Sequence, residues 1–469
     1  DPAIIARYNQ PLYVAVKTRQ QVAAAGGEVT VDFYLINEKN VRGNHQLKIS
    51  VTDSQGKVME VGTYETEAAG GEVYGQLLVK DVKIPVPTAG GLCRIEAKLC
   101  KENSVVTTGY DDILSVNLAS NMLDGKGAVW EDGSALQNFL KGKTKEAVAA
   151  YEDNLGKLDW IMVARPPRKD QLTMVPMEAL RSADGKPGLD VVYYEDMEFQ
   201  KEVYHEVAKV VNLSAIEGAT PSPFVYMLDG YGIKWSGKVL PSVSGEYTII
   251  PQSNDRSMIE VFVNGKKIYE ITRKKEHLGD GKVYLEGGKS ADIEIRFRHP
   301  RSNARCRLDW AVPNDKMPDA QRLMERAVND GTKIFIIQSA DEWSEFIAVN
   351  SKAVFKDKFF VGTNWLGGVM FNKPHDIFKE LPVGNALNWP YQALIHTGVE
   401  RMGLVMEGEE LLVGAYHTYP MAIGTAMGIV PMGKGSVLFS TLDIYGNIIN
   451  DSAAGLVAKK LIFNMIDFK

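Results

Sequence analysis

Leu158-Asp159-Trp160-Ile161-Met162-Val163-Ala164 runs directly into Arg165-Pro166-Pro167-Arg168. The first seven residues are an apolar run of strand length, and the proline pair ends it, because proline has no amide to give to a ladder. Upstream, the pattern changes near Leu123-Asp124-Gly125-Lys126-Gly127. Ala128-Val129-Trp130 is a short apolar stretch, and Ser134 is a candidate N-cap for a helix through Leu140. A second helix is expected from Lys145 to Asn154, which gives a β-α-β rhythm. That rhythm stops at Arg165 and returns at Pro318, where Ala320, Leu323, Met324, Ala327 and Val328 mark one apolar helix face. Asn329-Asp330-Gly331 ends that helix, Lys333-Ile334-Phe335-Ile336-Ile337 is an apolar strand, and Ala453 to Asn464 is a closing helix. Between about Gly188 and Trp310 the chain is β-rich with many turns. A β segment of roughly 125 residues inside an α/β pattern predicts one domain inserted into another, which loop tips tolerate.

Before Leu123 the alternation has period two, as in Leu12-Tyr13-Val14-Ala15-Val16 and Glu28-Val29-Thr30-Val31-Asp32-Phe33-Tyr34-Leu35. Gly26-Gly27, Gly70-Gly71 and Gly90-Gly91 separate such runs, so a β-sandwich is expected. The length of 469 residues fits about three domains. Hydrophobic residues at 45% and charged ones at 24% exclude a disordered chain, a collagen-like repeat and a membrane bundle. The net charge of -6 gives no broad attraction for nucleic acid or anionic lipid. No apolar run reaches the roughly 18 residues of a membrane span. Cys93, Cys100 and Cys306 read as buried thiols, with Cys93 and Cys100 on opposite faces if one strand holds both. They form no four-ligand zinc pattern. The chain opens at Asp1-Pro2 without a methionine or signal-type segment, so a processed form or a piece of a longer protein is expected.

The inserted stretch carries six motifs in order. They are Gly188-Leu189-Asp190-Val191-Val192-Tyr193-Tyr194, Ile233-Lys234-Trp235-Ser236-Gly237, Ser244-Gly245-Glu246-Tyr247-Thr248-Ile249, Ser253-Asn254-Asp255-Arg256-Ser257, Val261-Phe262-Val263-Asn264-Gly265-Lys266 and Leu308-Asp309-Trp310. Together they resemble the domain family named after the anthrax protective antigen, a β-barrel-like sandwich that serves as a carbohydrate-binding module in glycosidases and adhesins. Gly245 suits a hairpin turn, and Asn264-Gly265 is a strong hairpin dipeptide because both residues tolerate positive φ. Trp235 and Trp310 read as core aromatics. Some members of the family hold calcium with two successive aspartates where this chain has Asn254-Asp255. Calcium takes six to eight oxygens, and Asn254 offers a carbonyl without the charge. The resemblance therefore raises Asn254 and Asp255 as calcium ligands, against the alternative of a polar turn; no other cofactor is expected.

Residues 6–16 and Phe33-Tyr34-Leu35-Ile36-Asn37-Glu38 resemble the sandwich domains that follow the catalytic barrel in glycoside hydrolase family 2, in its β-galactosidase-like members. The outer α/β part, including Gly433-Lys434-Gly435-Ser436-Val437-Leu438-Phe439-Ser440-Thr441-Leu442-Asp443, resembles the class I glutamine-amidotransferase-like fold. The expected fold is thus multidomain α+β. An immunoglobulin-like β-sandwich covers 1–120. A discontinuous amidotransferase-like, flavodoxin-like α/β domain covers 121–185 and 313–469. A protective-antigen-like β domain is inserted at 186–312.

Glycoside hydrolysis usually needs two carboxyl groups across the scissile bond. The family 2 pair sits in a barrel of roughly 250 residues that no stretch here supplies. Asn37-Glu38 imitates the family's acid/base pair but follows a sandwich strand and reads as a turn. An amidotransferase needs a cysteine on a sharp strand-to-helix turn, and none of the three cysteines lies in one. His396, Glu400 and His417 lack a nucleophile and read as core or surface polar residues.

The expected function is that of the non-catalytic C-terminal region of a β-galactosidase-like glycoside hydrolase, with carbohydrate and the parent chain's catalytic barrel as partners. By resemblance its location is periplasmic or extracellular. A stand-alone carbohydrate-binding or adhesion protein, and a hydrolase with an unrecognised site, are the alternatives. A sugar needs planar aromatic surface and fixed polar partners. Asn254, Asp255 and Arg256 offer an amide, a carboxylate and a guanidinium within three residues, which suits vicinal hydroxyls. Tyr226 and Tyr231 precede the strand of Trp235 and are candidate stacking rings, and Trp365 in Gly362-Thr363-Asn364-Trp365-Leu366-Gly367-Gly368 is the next. The competing reading pairs Asp255 with Arg256 on a solvated turn.

Overall fold

A computed structural model describes residues 5, 9–102, 104–118, 122–167, 172–215, 225, 230–253, 256–300, 304–313, 318–361, 368–396, 402–418, 421–449 and 453–468. Strands take 51% of the chain and helices 14%, so the architecture is β-rich, with several sheets. Two compact units share it. One holds residues 1–121, 374–392 and 450–469, and the other holds 122–373 and 393–449.

The first unit begins with β1 (Leu12–Thr18), β2 (Val22–Ala24), β3 (Glu28–Asn37), β4 (Gly43–Thr52), β5 (Val58–Ala68), β6 (Gly75–Pro85), β7 (Gly91–Lys101) and β8 (Ser104–Val116). They form a three-stranded sheet, β1-β3-β6, and a five-stranded one, β2-β8-β7-β4-β5. The period-two alternation turns Val31, Phe33 and Leu35 of β3 and Leu47, Ile49 and Val51 of β4 into one fully buried core. Cys93 and Cys100 share β7, and all three cysteines are free and buried. Asn37 ends β3 as a turn residue: its side chain exchanges two 2.9 Å hydrogen bonds with the backbone of Val41. The closing helix, Ala453–Asp467, belongs to this unit. Buried Lys460 on it donates to Glu380 at 2.6 Å and to the Asn117 carbonyl at 3.3 Å. Its apolar face predicts burial but does not specify which sheet receives it.

The second unit opens with β9 (Gly127–Glu131), α1 (Ala135–Leu140), β10 (Ala149–Ala150) and β11 (Trp160–Ala164). Where a second helix was expected from Lys145 to Asn154 the chain instead forms β10, parallel to β9. Just after it, the carbonyls of Asp153, Leu155 and Gly156 accept from the Arg326 guanidinium, which fixes this stretch in a non-helical path.

Between β11 and its parallel neighbour β25 (Lys333–Ile336) the chain builds a β module. Its strands are β12 (Thr173–Met174), β13 (Leu180–Arg181), β14 (Leu189–Tyr194), β15 (Glu202–Ala208), β16 (Asn212–Ala215), β17 (Tyr231–Val239), β18 (Gly245–Ser253), β19 (Met258–Val263), β20 (Lys266–Ile271), β21 (His277–Leu278), β22 (Lys282–Leu285), β23 (Ala291–His299) and β24 (Ala304–Ala311). One sheet has the order β12-β24-β18-β22, with β16 on β24; the other has β15-β14-β17-β23-β19-β20-β21, with β13 on β17. Trp235, Tyr247, Phe297 and Trp310 fill the core between them, each at most 3% exposed. The Tyr247 and Trp310 rings lie 5.2 Å apart. Asn264 (φ 50°) and Gly265 (φ 74°) make the two-residue turn that closes Val263 against Lys266.

After the module come α2 (Ala320–Asp330) and α3 (Ala340–Val349). Asp319 caps α2 by accepting from the Gln321 and Arg322 amides, and Gly331 ends it in the left-handed region. Leu323, Met324 and Ala327 then pack with Ile161, Ile334 and Trp343 in one core. The strands β26 (Val354–Phe360), β27 (Gly368–Asn372), β28 (Met402–Glu407), β29 (Glu410–His417), β30 (Ala422–Met432) and β31 (Gly435–Ser440) complete the sheet. Its order is β10-β9-β11-β25-β31-β30-β28-β26, with β27 on β29 and β29 on β30. From β10 to β31 the neighbours are parallel; beyond β31 they are antiparallel.

Candidate functional site

The loop singled out by the sequence is the crossover between the module's two sheets. It leaves β18 at Ser253, opposite Cys306, and enters β19 at Met258, opposite Arg298. Asn254 and Asp255 lie outside the described residues, as do Tyr226, Trp365 and Glu400. Arg256 is exposed and has φ 83°, a left-handed backbone that is uncommon for a side chain of its size. Ser257 turns inward, 3% exposed, and its Oγ lies 3.1 Å from Nδ1 of the fully buried His299. Tyr231 pairs across the sheet with His299, and the two rings are 6.2 Å apart. Ser257, His299 and Tyr231 are thus all buried near the point where the chain enters β19.

Tyr231 is not a stacking platform. It is 1% exposed, and its first strand position turns the ring into the core beside Phe297, at 6.4 Å. Burial drives its hydroxyl far above the ordinary tyrosine range. An aromatic residue at a strand start shows no sign, in sequence alone, of which face it will take. Among the described residues no group of three or more His, Cys, Asp or Glu is arranged to hold a metal.

The second polar cluster lies where the parallel strands β9 and β11 end. Glu131 closes β9, and its carboxylate accepts from the Leu136 amide (3.0 Å), the Gln137 amide (2.9 Å) and the Tyr445 hydroxyl (2.8 Å). It thus caps α1 in place of Ser134, which holds the N-cap position without a capping bond and instead donates to Glu178 at 3.2 Å. Asp132 is paired with Arg165, the residue after β11. Carboxylates at strand ends are a common catalytic arrangement in α/β sheets, but here the bonds of Glu131 and Asp132 hold the backbone and an arginine.

Burial pushes the Glu131 carboxyl above its ordinary value, against the two backbone amides that favour its charged form. The folded state therefore keeps this proton at pH values where the unfolded chain has lost it. Stability from this group is greatest below the unfolded value of 4.5 and falls as pH rises through the folded value. Urea melts of wild type and Glu131→Gln should show wild type losing stability relative to the variant across that rise. A difference that stays flat with pH would contradict the assignment.

Residues 185–322, which take in most of the module and the start of α2, match the PA14 domain family, so the chain carries a PA14 domain. Over 127 residues the chain is 28% identical to the anti-sigma-I factor RsgI3 of Acetivibrio thermocellus; the aligned part is 26% of this chain and 19% of that protein, about a fifth of its length. Two solved structures are also similar. A β-glucosidase from Kluyveromyces marxianus aligns at 11% identity, over 48% of this chain and 30% of its own, with a TM-score of 0.32. A PA14 sugar-binding domain from an RTX adhesin aligns at 15% identity, over 26% of this chain and 88% of its own, with a TM-score of 0.21.

Proposed function

We propose that the PA14 domain of this chain binds carbohydrate at the β18–β19 crossover, through Asn254, Asp255 and Arg256. The PA14 match over residues 185–322 carries this reading. The crossover supports it chemically: an exposed arginine beside an amide and a carboxylate gives donors and acceptors suited to vicinal hydroxyls. The buried Ser257–His299 contact behind the loop holds its base, which limits the ordering loss on binding. Around this domain we read the β1–β8 unit and the parallel-stranded sheet as accessory scaffolds. The sheet's proposed likeness is to the amidotransferase-like fold. The whole region is proposed to serve a β-galactosidase-like glycoside hydrolase in the periplasm or outside the cell, packing against that enzyme's barrel and performing no hydrolysis itself.

A glycan array on the intact chain tests the binding reading. Asp255→Ala is expected to lower the affinity of the tightest-bound neutral glycan at least tenfold, about 1.4 kcal/mol. Unchanged affinity in that variant would place the site elsewhere.

A further inference from the structure

The outer face of the β15–β21 sheet carries a recess separate from the crossover. On β23, Asp292, Glu294 and Arg296 are two residues apart and share one face. The register puts Ser236 of β17 on one side of Glu294 and Phe262 of β19 on the other. Ser236 is small, and the left-handed Gly265 has no neighbour within 4 Å of where a Cβ would stand. A depression of about 380 Å³ opens there. Phe262 and Met258 are four residues apart on β19, so the recess lies roughly 13 Å along the strand from the crossover.

Its polar groups are already oriented. Arg296 stacks over the Phe262 ring, 4.7 Å from the centroid, and its Nε donates to Glu294 Oε1 at 2.6 Å. Lys238 Nζ donates to Asp292 Oδ1 at 2.8 Å, and the Asp292 amide donates to the Asn264 side chain at 2.9 Å. These bonds engage one oxygen of each carboxylate and leave the other as an acceptor. Two carboxylates against Arg296 and Lys238 make the recess neutral, so it attracts neither an anion nor a cation as such. Acceptors, a hydroxyl and a guanidinium held against a phenyl ring match the hydroxyls of a sugar ring. The volume is at the small end of ligand pockets, the scale of a single ring rather than a long chain.

We propose that this recess is a second carbohydrate subsite, which takes one neutral pyranose unit. It rests on the reading that the PA14 domain binds carbohydrate. The test is calorimetric titration of the intact chain with lactose and with cellobiose, repeated for Asp255→Ala, Ser236→Arg and Glu294→Gln. Ser236→Arg fills the recess without removing packing, and Glu294→Gln keeps the shape while replacing an acceptor with an amide. The expected result is two binding events for at least one of the disaccharides, with one of them weakened at least tenfold by Ser236→Arg and by Glu294→Gln and retained in Asp255→Ala. A single event that Asp255→Ala abolishes, and that both recess variants leave intact, overturns the subsite while the crossover reading stands. No binding of either disaccharide by the intact chain overturns the subsite, while the carbohydrate reading itself stands or falls with the glycan array.

Discussion

Residues 172–313, expressed alone, should unfold in one cooperative transition, whereas residues 186–313 should be less stable by about 3–6 kcal/mol or fail to fold. The difference lies in β12 and β13. β12 pairs with β24 through Thr173–Trp310 and Met174–Asp309, and β13 pairs with β17 through Leu180–Val239. Val175 (1% exposed) and Leu180 (0%) sit in the same core as Trp235 and Trp310. Full burial of such side chains contributes about 1.5–3 kcal/mol each. Removing them also leaves the edge amides of β17 and β24 without partners. Urea denaturation followed by tryptophan fluorescence checks this. Equal stability of the two fragments would show that the upstream strands are ornaments on the module.

Arg165→Met should destabilise the intact chain by about 3–5 kcal/mol, because it leaves Asp132 without its partner in a site that excludes water. The Arg165 and Asp132 side chains are only 8% and 13% exposed. The guanidinium also lies 5.6 Å from the Trp130 ring, and the Arg165 carbonyl accepts from Trp343 Nε1 at 2.7 Å. Desolvation lowers the arginine's affinity for its proton, opposed by Asp132, so the two charges are held together rather than by water. Asp132→Asn in the same chain should recover part of the loss, since it removes the stranded charge. Thermal melts of the single and double variants measure both steps; a loss under 1 kcal/mol for Arg165→Met would mean that water reaches the pair.

Elements whose signals are local were legible from the sequence. Asn264-Gly265 had to turn because two adjacent residues accept positive φ, and Asn329-Asp330-Gly331 marked the end of α2, where Gly331 is left-handed. The apolar run Trp160–Ala164 is fully buried because a parallel strand is covered on both faces. The misses involve partners distant in sequence. Ala149 and Ala150 pair with Ala128 and Val129 of β9 where a helix from Lys145 to Asn154 was expected, and Arg326, about 170 positions away, binds the carbonyls just beyond them. Glu131 caps α1 from five residues upstream, where the usual rule looks to Ser134. Tyr231 looked like an accessible ring, but pairing with His299 carries it inward. The recess at Glu294 had no motif, because cross-strand register brings Ser236 and Phe262 beside it.

The carbohydrate reading is tested most directly by a glycan array on the intact chain, run beside Asp255→Ala. The account predicts binding to at least one neutral glycan, weakened at least tenfold in the variant. An intact, folded chain that binds no glycan on the array would contradict it.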